Sequence, residues 1–335
     1  MTAPADPQTP PRFTDITAAA ERLAAVAVRT PLLECAALNA IAGGRILLKA
    51  ETLQRTGSFK IRGAYNFVSQ LSETQRRHGV VAYSSGNHAQ GVAAAARLLA
   101  APATIVMPSD APAIKLDNTR ALGATVVTYD RHGEAREEIA ARLAAEHGAT
   151  IVPPYDHPWT IAGQGTVGLE IVAQAEAMGM TPDVALVCCG GGGLTAGLAT
   201  VFAELASQAE IYTVEPDGFD DTARSLTTGQ LVSNQPGSQS ICDALLAPMP
   251  GALTFSINNQ LVTGGISVSD DDVRRAMAFA WQTLKLVVEP GGAVALAAVL
   301  NGAAACRGKT VAVVLSGANV DAKAFSDVLG RDAAR

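Results

Sequence analysis

The sequence predicts an α/β fold of doubly wound domains with parallel sheets. Short β-branched runs alternate with longer Ala- and Leu-rich helical patterns, the runs are apolar almost throughout, and polar glycine-rich clusters follow several of them. A strand apolar on both faces must be covered on both, which is the condition of a parallel sheet with helices on each side. In chain order the expected strands are 46–49, 80–84, 103–107, 124–128, 184–189, 211–214 and 311–315, each rich in Val, Ile, Thr or Leu. Helical patterns predict helices over 15–28, 59–71, 88–99, 112–121, 133–147, 160–178, 194–206, 270–284 and 292–302. The stretch 229–268, rich in Gly, Pro, Asn, Gln and Ser, reads as long and irregular, and in an α/β enzyme such segments often border the active site.

A length of 335 residues suits two domains or one large α/β unit, and 48% hydrophobic against 17% charged residues excludes a disordered chain. A net charge of −6 without a basic cluster argues against a nucleic-acid partner or an anionic membrane surface, leaving a small-molecule ligand. The five cysteines, odd in number and without CxxC spacing, fit a reduced cytoplasmic compartment better than a disulfide framework. Cys188 and Cys189 read as core packing at a strand end. The Pro-rich start, MTAPADPQTPPRF, lacks the apolar stretch of a signal peptide and reads as a frayed tail. The uncharged run 184–203 has four glycines in its middle, so it predicts a strand–loop–helix rather than a membrane span.

Ligands of open α/β sheets gather at the carboxyl ends of strands. Four polar clusters stand there: Ser84-Ser85-Gly86-Asn87-His88, Gly190 to Gly193, Glu215-Pro216-Asp217 and Ser316-Gly317-Ala318-Asn319. A fifth, Thr56-Gly57-Ser58-Phe59-Lys60, opens a helix soon after the first strand. Consecutive glycines let backbone N–H groups converge, and a helix beginning at Leu194 adds its positive end, so the tetraglycine makes an anion nest suited to a phosphate. The same loop also satisfies the GxGxxA spacing of a nicotinamide-dinucleotide site, with Glu215 in the place of the ribose-binding acid, so an NAD-dependent oxidoreductase is the rival reading. Lys60 separates the two. A solvated helix lysine is the ordinary reading, but a neutral lysine forms Schiff bases, and an imine lysine with a phosphate nest is the pair that pyridoxal phosphate requires.

Ser58-Phe59-Lys60-Ile61-Arg62-Gly63-Ala64, Ser84-Ser85-Gly86-Asn87-His88-Ala89-Gln90-Gly91, Gly190-Gly191-Gly192-Gly193-Leu194 and Ser316-Gly317-Ala318-Asn319-Val320 together resemble the fold-type II pyridoxal-phosphate enzymes, within the serine/threonine dehydratase and serine racemase branch. The likeness runs in order over about residues 15–328. It implies a tryptophan synthase β-like fold, with a large cofactor-binding domain from 1–68 and 157–330 and a small mobile domain from 69–156, assembled as a homodimer. It implies that Lys60 carries pyridoxal 5'-phosphate as a Schiff base and Phe59 packs on the ring. Asn87 would serve the phenolic oxygen, Gly190, Gly191, Gly192, Gly193 and Leu194 the phosphate, and Ser316 the ring nitrogen, with Glu289 near the ring. A helix-terminal acid is the alternative reading of Glu289. A hydroxyl at the ring nitrogen keeps the electron sink modest, which favours elimination over a long-lived carbanion.

The implied activity is an L-threonine/L-serine ammonia-lyase giving a 2-oxo acid and ammonia, with Lys60 as the base at Cα. Ser84, Ser85, Asn87 and His88 would cradle the substrate carboxylate, although His88 also reads as a core histidine. Ser85 stands where threonine-specific dehydratases commonly have alanine and racemases have serine, so a serine racemase is one alternative. A hydroxyaspartate dehydratase is another, with Arg136 meeting the second carboxylate, though Arg136 also reads as one half of an i,i+4 surface pair. The run Glu215 to Asp221 resembles the divalent-cation loop of the racemase branch, with Glu215, Phe219 and Asp221 as oxygen ligands for Mg²⁺ or Ca²⁺; a solvated acidic turn is the alternative. Cys242-Asp243-Ala244 departs from the family's usual Ala-Asp-Gly, which opens the choice of amino acid. The chain ends soon after Asn319, so a C-terminal regulatory domain and feedback control are not expected.

Overall fold

The computed structural model describes residues 8–84, 86–111, 113–130 and 133–332. Its strands are β1 (Leu32–Glu34), β2 (Arg45–Ala50), β3 (Val80–Tyr83), β4 (Ala103–Pro108), β5 (Thr125–Tyr129), β6 (Thr150–Ile151), β7 (Val184–Cys188), β8 (Glu210–Pro216), β9 (Gly264–Val268) and β10 (Thr310–Leu315). Six form one sheet in the order β1-β2-β10-β7-β8-β9, and four form a second in the order β5-β4-β3-β6. All seven expected strands are present within a residue or two, and the run 184–203 is β7, a turn and the helix Gly193–Leu205. Among the described residues no helix is long and apolar enough to cross a membrane.

The inner strands of the large sheet are buried along almost their whole length, which is why their sequences are apolar without alternation. Helix Pro290–Leu300, buried from Gly291 to Val299, covers one part of it. Helices Pro158–Ala177 and Gly193–Leu205 cross at glycines: a Cβ on Gly165 would stand 2.9 Å from the Gly197 carbonyl oxygen, so the two backbones touch. This contact fixes the helix that begins at the tetraglycine. Ile61, Ala64 and Phe67 share one buried cluster with Val80, Ala82, Ile105 and Met107 of the small sheet, with the helix Asn87–Leu98 packed against both, so the helix bearing Lys60, Lys60–Ser69, is tied into that core.

Three expectations need correction. The large sheet is not wholly parallel, because β1 runs antiparallel to β2 with Leu32 opposite Lys49; three residues are too few to show a pattern. The stretch 229–268 is not irregular throughout, since it holds the helix Ala252–Leu261 and then β9. Gly265 serves packing here, for a Cβ on it would lie 2.3 Å from that of Ala223. Finally, several helix ends shift: the first helix spans Phe13–Leu23, the one expected at 133 begins at Arg136, and the one expected over 270–284 is α-helical to Phe279 and then makes a π turn.

Candidate active site

A cavity of about 210 Å³ opens where the carboxyl ends of β7 and β10 face the carboxyl end of β3. Lys60, Asn87, the tetraglycine, Glu289 and Ser316 all border it, although they come from distant parts of the chain. Phe59 N–H donates to the Ser316 carbonyl at 3.1 Å, and Ser58 bridges Gly317, so the segment bearing Lys60 is fastened to the end of β10. The Lys60 Nζ donates to the Pro154 carbonyl at 2.8 Å and stands 5.2 Å from the Phe59 ring centroid. Burial lowers its pKa to about 8, so a useful fraction of this amine is a free nucleophile near neutral pH.

The tetraglycine turns its carbonyls outward. Thr254 Oγ1 donates to the Gly191 carbonyl at 2.6 Å and Asn258 Nδ2 to that of Gly192 at 3.3 Å. Among the described residues the N–H groups of Gly190 to Leu194 have no protein acceptor, and they border the cavity at the start of a thirteen-residue helix. Side chains have no room: Gly192 has φ +91°, and a Cβ on Gly191 would enter the Tyr155 ring at 2.4 Å. Free N–H groups converging at a helix start are an arrangement able to take up an anion such as a phosphate.

On the opposite side Glu289 precedes the helix Pro290–Leu300 without capping it, and its carboxylate accepts from Asn87 Nδ2 at 2.5 Å. Asn319 Nδ2 donates to Asn87 Oδ1 at 2.7 Å and to the Thr56 carbonyl at 2.8 Å. The Asn87 amide is thereby oriented from both ends, with a second N–H left for a ligand oxygen. Burial, with the charge of Asp243 adding to it, raises the Glu289 pKa to about 8. The Cys188 thiol also borders the cavity and not only the core; burial lifts its pKa to about 11, so it stays protonated.

His88 and Arg136 resolve unequally. His88 Nε2 meets the Val152 carbonyl at 2.9 Å, so that nitrogen carries the proton; burial, then the Lys60 charge, lowers the pKa to about 3. A neutral imidazole with its N–H spent holds the loop and has none left for a carboxylate. Arg136 is no i,i+4 partner: its Nε donates to the adjacent Glu137 at 2.8 Å, its guanidinium carbon lies 5.4 Å from the Tyr83 ring centroid, and it borders the cavity. Ser84 borders the same cavity, its Oγ accepting from Gly86 N–H, whereas Ser85 lies outside the described residues.

Glu215 does not reach the cavity. Its oxygens accept from Thr222 N–H at 3.0 Å and Ala223 N–H at 2.8 Å, so it caps the helix Asp221–Thr228 from beneath. The dinucleotide reading loses its ribose-binding acid. Burial, with the charge of Asp221, raises Glu215 to about 8, and burial raises Asp221 to about 6. Asp221 Oδ2 is buried without a partner, and Phe219 belongs to the same turn, yet among the described residues no three His, Cys, Asp or Glu side chains converge to hold a metal. The turn is not a solvated one, because Glu215 and Asp221 are both buried; two carboxylates and the Phe219 carbonyl would be the ligands if a cation binds there.

Several contributors carry no signal in the sequence. Lys115, buried on the helix Ala113–Ala121, pairs with Asp243 across the cavity, and Tyr155 packs on the tetraglycine. Arg62, two residues after Lys60, donates to Glu51 at 2.7 and 2.8 Å and to Glu170 at 2.7 and 3.0 Å, and Lys49 reaches Glu170 at 2.6 Å. The hydrogen-bonding partners are far apart in sequence, so no spacing announces them.

A buried lysine of lowered pKa, a backbone phosphate cradle and an oriented amide define the site of a pyridoxal-phosphate enzyme; when bound, the cofactor would be held by Lys60, Asn87, Gly190 to Leu194 and Ser316. The comparisons agree. The chain belongs to the pyridoxal-phosphate dependent enzyme family, which it matches over residues 24–317, and it has the fold-type II architecture. It is 45% identical to the L-threo-3-hydroxyaspartate ammonia-lyase of a Pseudomonas species, over 95% of this chain and 98% of that one. It is 37% identical to the serine racemase of Schizosaccharomyces pombe, over 96% and 98%. The crystal structure of a threonine deaminase from T.th. superposes with a TM-score of 0.88 at 44% identity, over 93% of this chain and 99% of that one. The chain is thus a member of the ammonia-lyase and racemase group of that family.

Proposed function

We propose that the protein is an ammonia-lyase that converts a β-hydroxy amino acid to its 2-oxo acid and ammonia, taking L-threo-3-hydroxyaspartate ahead of L-serine and L-threonine. The observation that carries this preference is the pair of cations, Lys115 and Arg136, bordering the cavity in addition to Lys60. A substrate with one carboxylate, seated at the start of the helix Asn87–Leu98, needs neither; the second carboxylate of a dicarboxylate offers one of them a counter-charge in place of its present partner, Asp243 or Glu137. The identity to a lyase named for that substrate supports the same reading.

Pyridoxal phosphate, when bound, supplies the electron sink for the substrate's α-carbon. The protein's own part is acid–base and positional. Lys60, released as a neutral amine because burial disfavours its ammonium, takes the Cα proton as general base. Asn87, held by Glu289 and Asn319, would hold the cofactor through its remaining amide N–H. The β-hydroxyl would take up a proton and leave as water, and hydrolysis of the resulting free enamine, through its imine, yields the 2-oxo acid and ammonia.

Wild-type enzyme reconstituted with pyridoxal phosphate is tested with L-threo-3-hydroxyaspartate, L-serine and L-threonine, measuring oxo acid, ammonia and amino-acid chirality. The expected order of kcat/KM places hydroxyaspartate first, with oxaloacetate as product. D-Serine formed from L-serine faster than any oxo acid appears would replace this reading by a racemase.

A further inference from the structure

We propose that Lys115 determines specificity: the distal carboxylate of a dicarboxylic hydroxy amino acid displaces Asp243 from the Lys115 ammonium and takes its place. This rests on the dicarboxylate reading above and names the group that enforces it. Lys115 comes from the helix Ala113–Ala121 beside the small sheet, and Asp243 from a short helical turn, Asp243–Leu245, in the segment that precedes β9. The partners differ in solvent access. The Lys115 side chain is 7% exposed and the Asp243 side chain 43%.

That asymmetry allows an exchange. A buried ammonium must keep a counter-charge, because leaving it unpaired is strongly unfavourable, whereas a carboxylate on the rim is readily rehydrated. A substrate carboxylate can therefore replace Asp243 while Asp243 turns to water, at little net electrostatic cost; serine and threonine have no group to make the exchange. The position is right for it, since the Lys115 Nζ lies 3.5 Å from where a Cβ on Gly86 would be, beside the first turn of the helix Asn87–Leu98. Arg136 is less suited. Its side chain is 39% exposed, and its Nε is already committed to Glu137.

The experiment compares the ratio of kcat/KM for L-threo-3-hydroxyaspartate to that for L-serine in the wild-type holoenzyme, Lys115→Met, Asp243→Asn and Arg136→Met. Losing one charge-assisted contact should lower the ratio about 10- to 100-fold in Lys115→Met. Removing the competing carboxylate in Asp243→Asn should raise it, and these opposite signs separate substrate recognition from a merely structural latch. A wild-type enzyme inert toward hydroxyaspartate overturns both the functional reading and this inference. An active wild type overturns the inference alone if the ratio is unchanged in Lys115→Met, or if it falls only in Arg136→Met. Should Lys115→Met fail to fold, Asp243→Asn decides by itself: an unchanged or lowered ratio overturns the proposal.

Discussion

Glu289 shows how one buried acid is read through its surroundings. Its carboxylate has lost water and gained only the Asn87 amide as a hydrogen-bond donor, so its proton is held to about pH 8 against an ordinary value of 4.5. A raised acid pKa means that between those values the folded state keeps a proton the unfolded chain has released. Stability must then fall as pH rises through that window. In the apoenzyme, replacing Glu289 by Gln removes this titration, so the decline in melting temperature from about pH 5 to about pH 8 should be shallower in the variant. Parallel profiles for the two proteins would mean that Glu289 is already ionised in the fold. The sequence offers Glu289 as either a helix-terminal acid or a ring neighbour, and the missing cap bond together with the Asn87 contact decides for the cavity.

At the scale of elements, the tetraglycine loop is a turn whose chemistry depends on having no side chains. Gly192 combines a left-handed backbone with close neighbours, for a Cβ there would meet Asn258 Nδ2 and Thr254 Oγ1 at 2.9 Å. Gly192→Ala should therefore weaken pyridoxal phosphate binding by about 5- to 30-fold, because strain of ~1–2 kcal/mol falls on the turn itself. Cofactor titration followed by absorbance measures it, and an unchanged dissociation constant would show that the phosphate does not depend on this turn. The cradle is legible in the sequence because four glycines in a row are rarely needed for anything else. Its supports, Thr254 and Asn258, are not legible, since they lie on a helix with the composition of a loop.

For the whole molecule, the helix bearing Lys60 is held between the two sheets. It joins the small-sheet core through the helix Asn87–Leu98, while Arg62 ties its first turn to Glu51, next to β2, and to Glu170 on the helix Pro158–Ala177. Burial would by itself raise Glu51, yet the Arg62 guanidinium holds it below the ordinary carboxylate range, so the carboxylate stays charged and fully enclosed. Removing one member of such a pair strands the other, at a cost of about 3–5 kcal/mol. Arg62→Met should lower stability by that order, read by denaturant unfolding, whereas the exposed pair Arg77–Glu73 should contribute less than about 1 kcal/mol when broken. Similar losses for the two variants would remove the buried network as the anchor of the site.

Contiguous stretches of the chain announce the alternation of strands and helices, the glycine turn that heads a helix, and a lysine placed beside it. Each of these is written in a contiguous stretch, where period, glycine runs or a motif can be read without knowing what lies opposite. The sequence also carried the family, because four motifs keep their order along the chain. It took the packed fold to show that Glu215 caps a helix, that His88 spends its N–H on Val152, that β1 is antiparallel and that Lys115 pairs with Asp243. Those facts depend on burial and on partners brought together from distant parts of the chain. Desolvation and pairing act through space, and the linear order of residues does not record that distance.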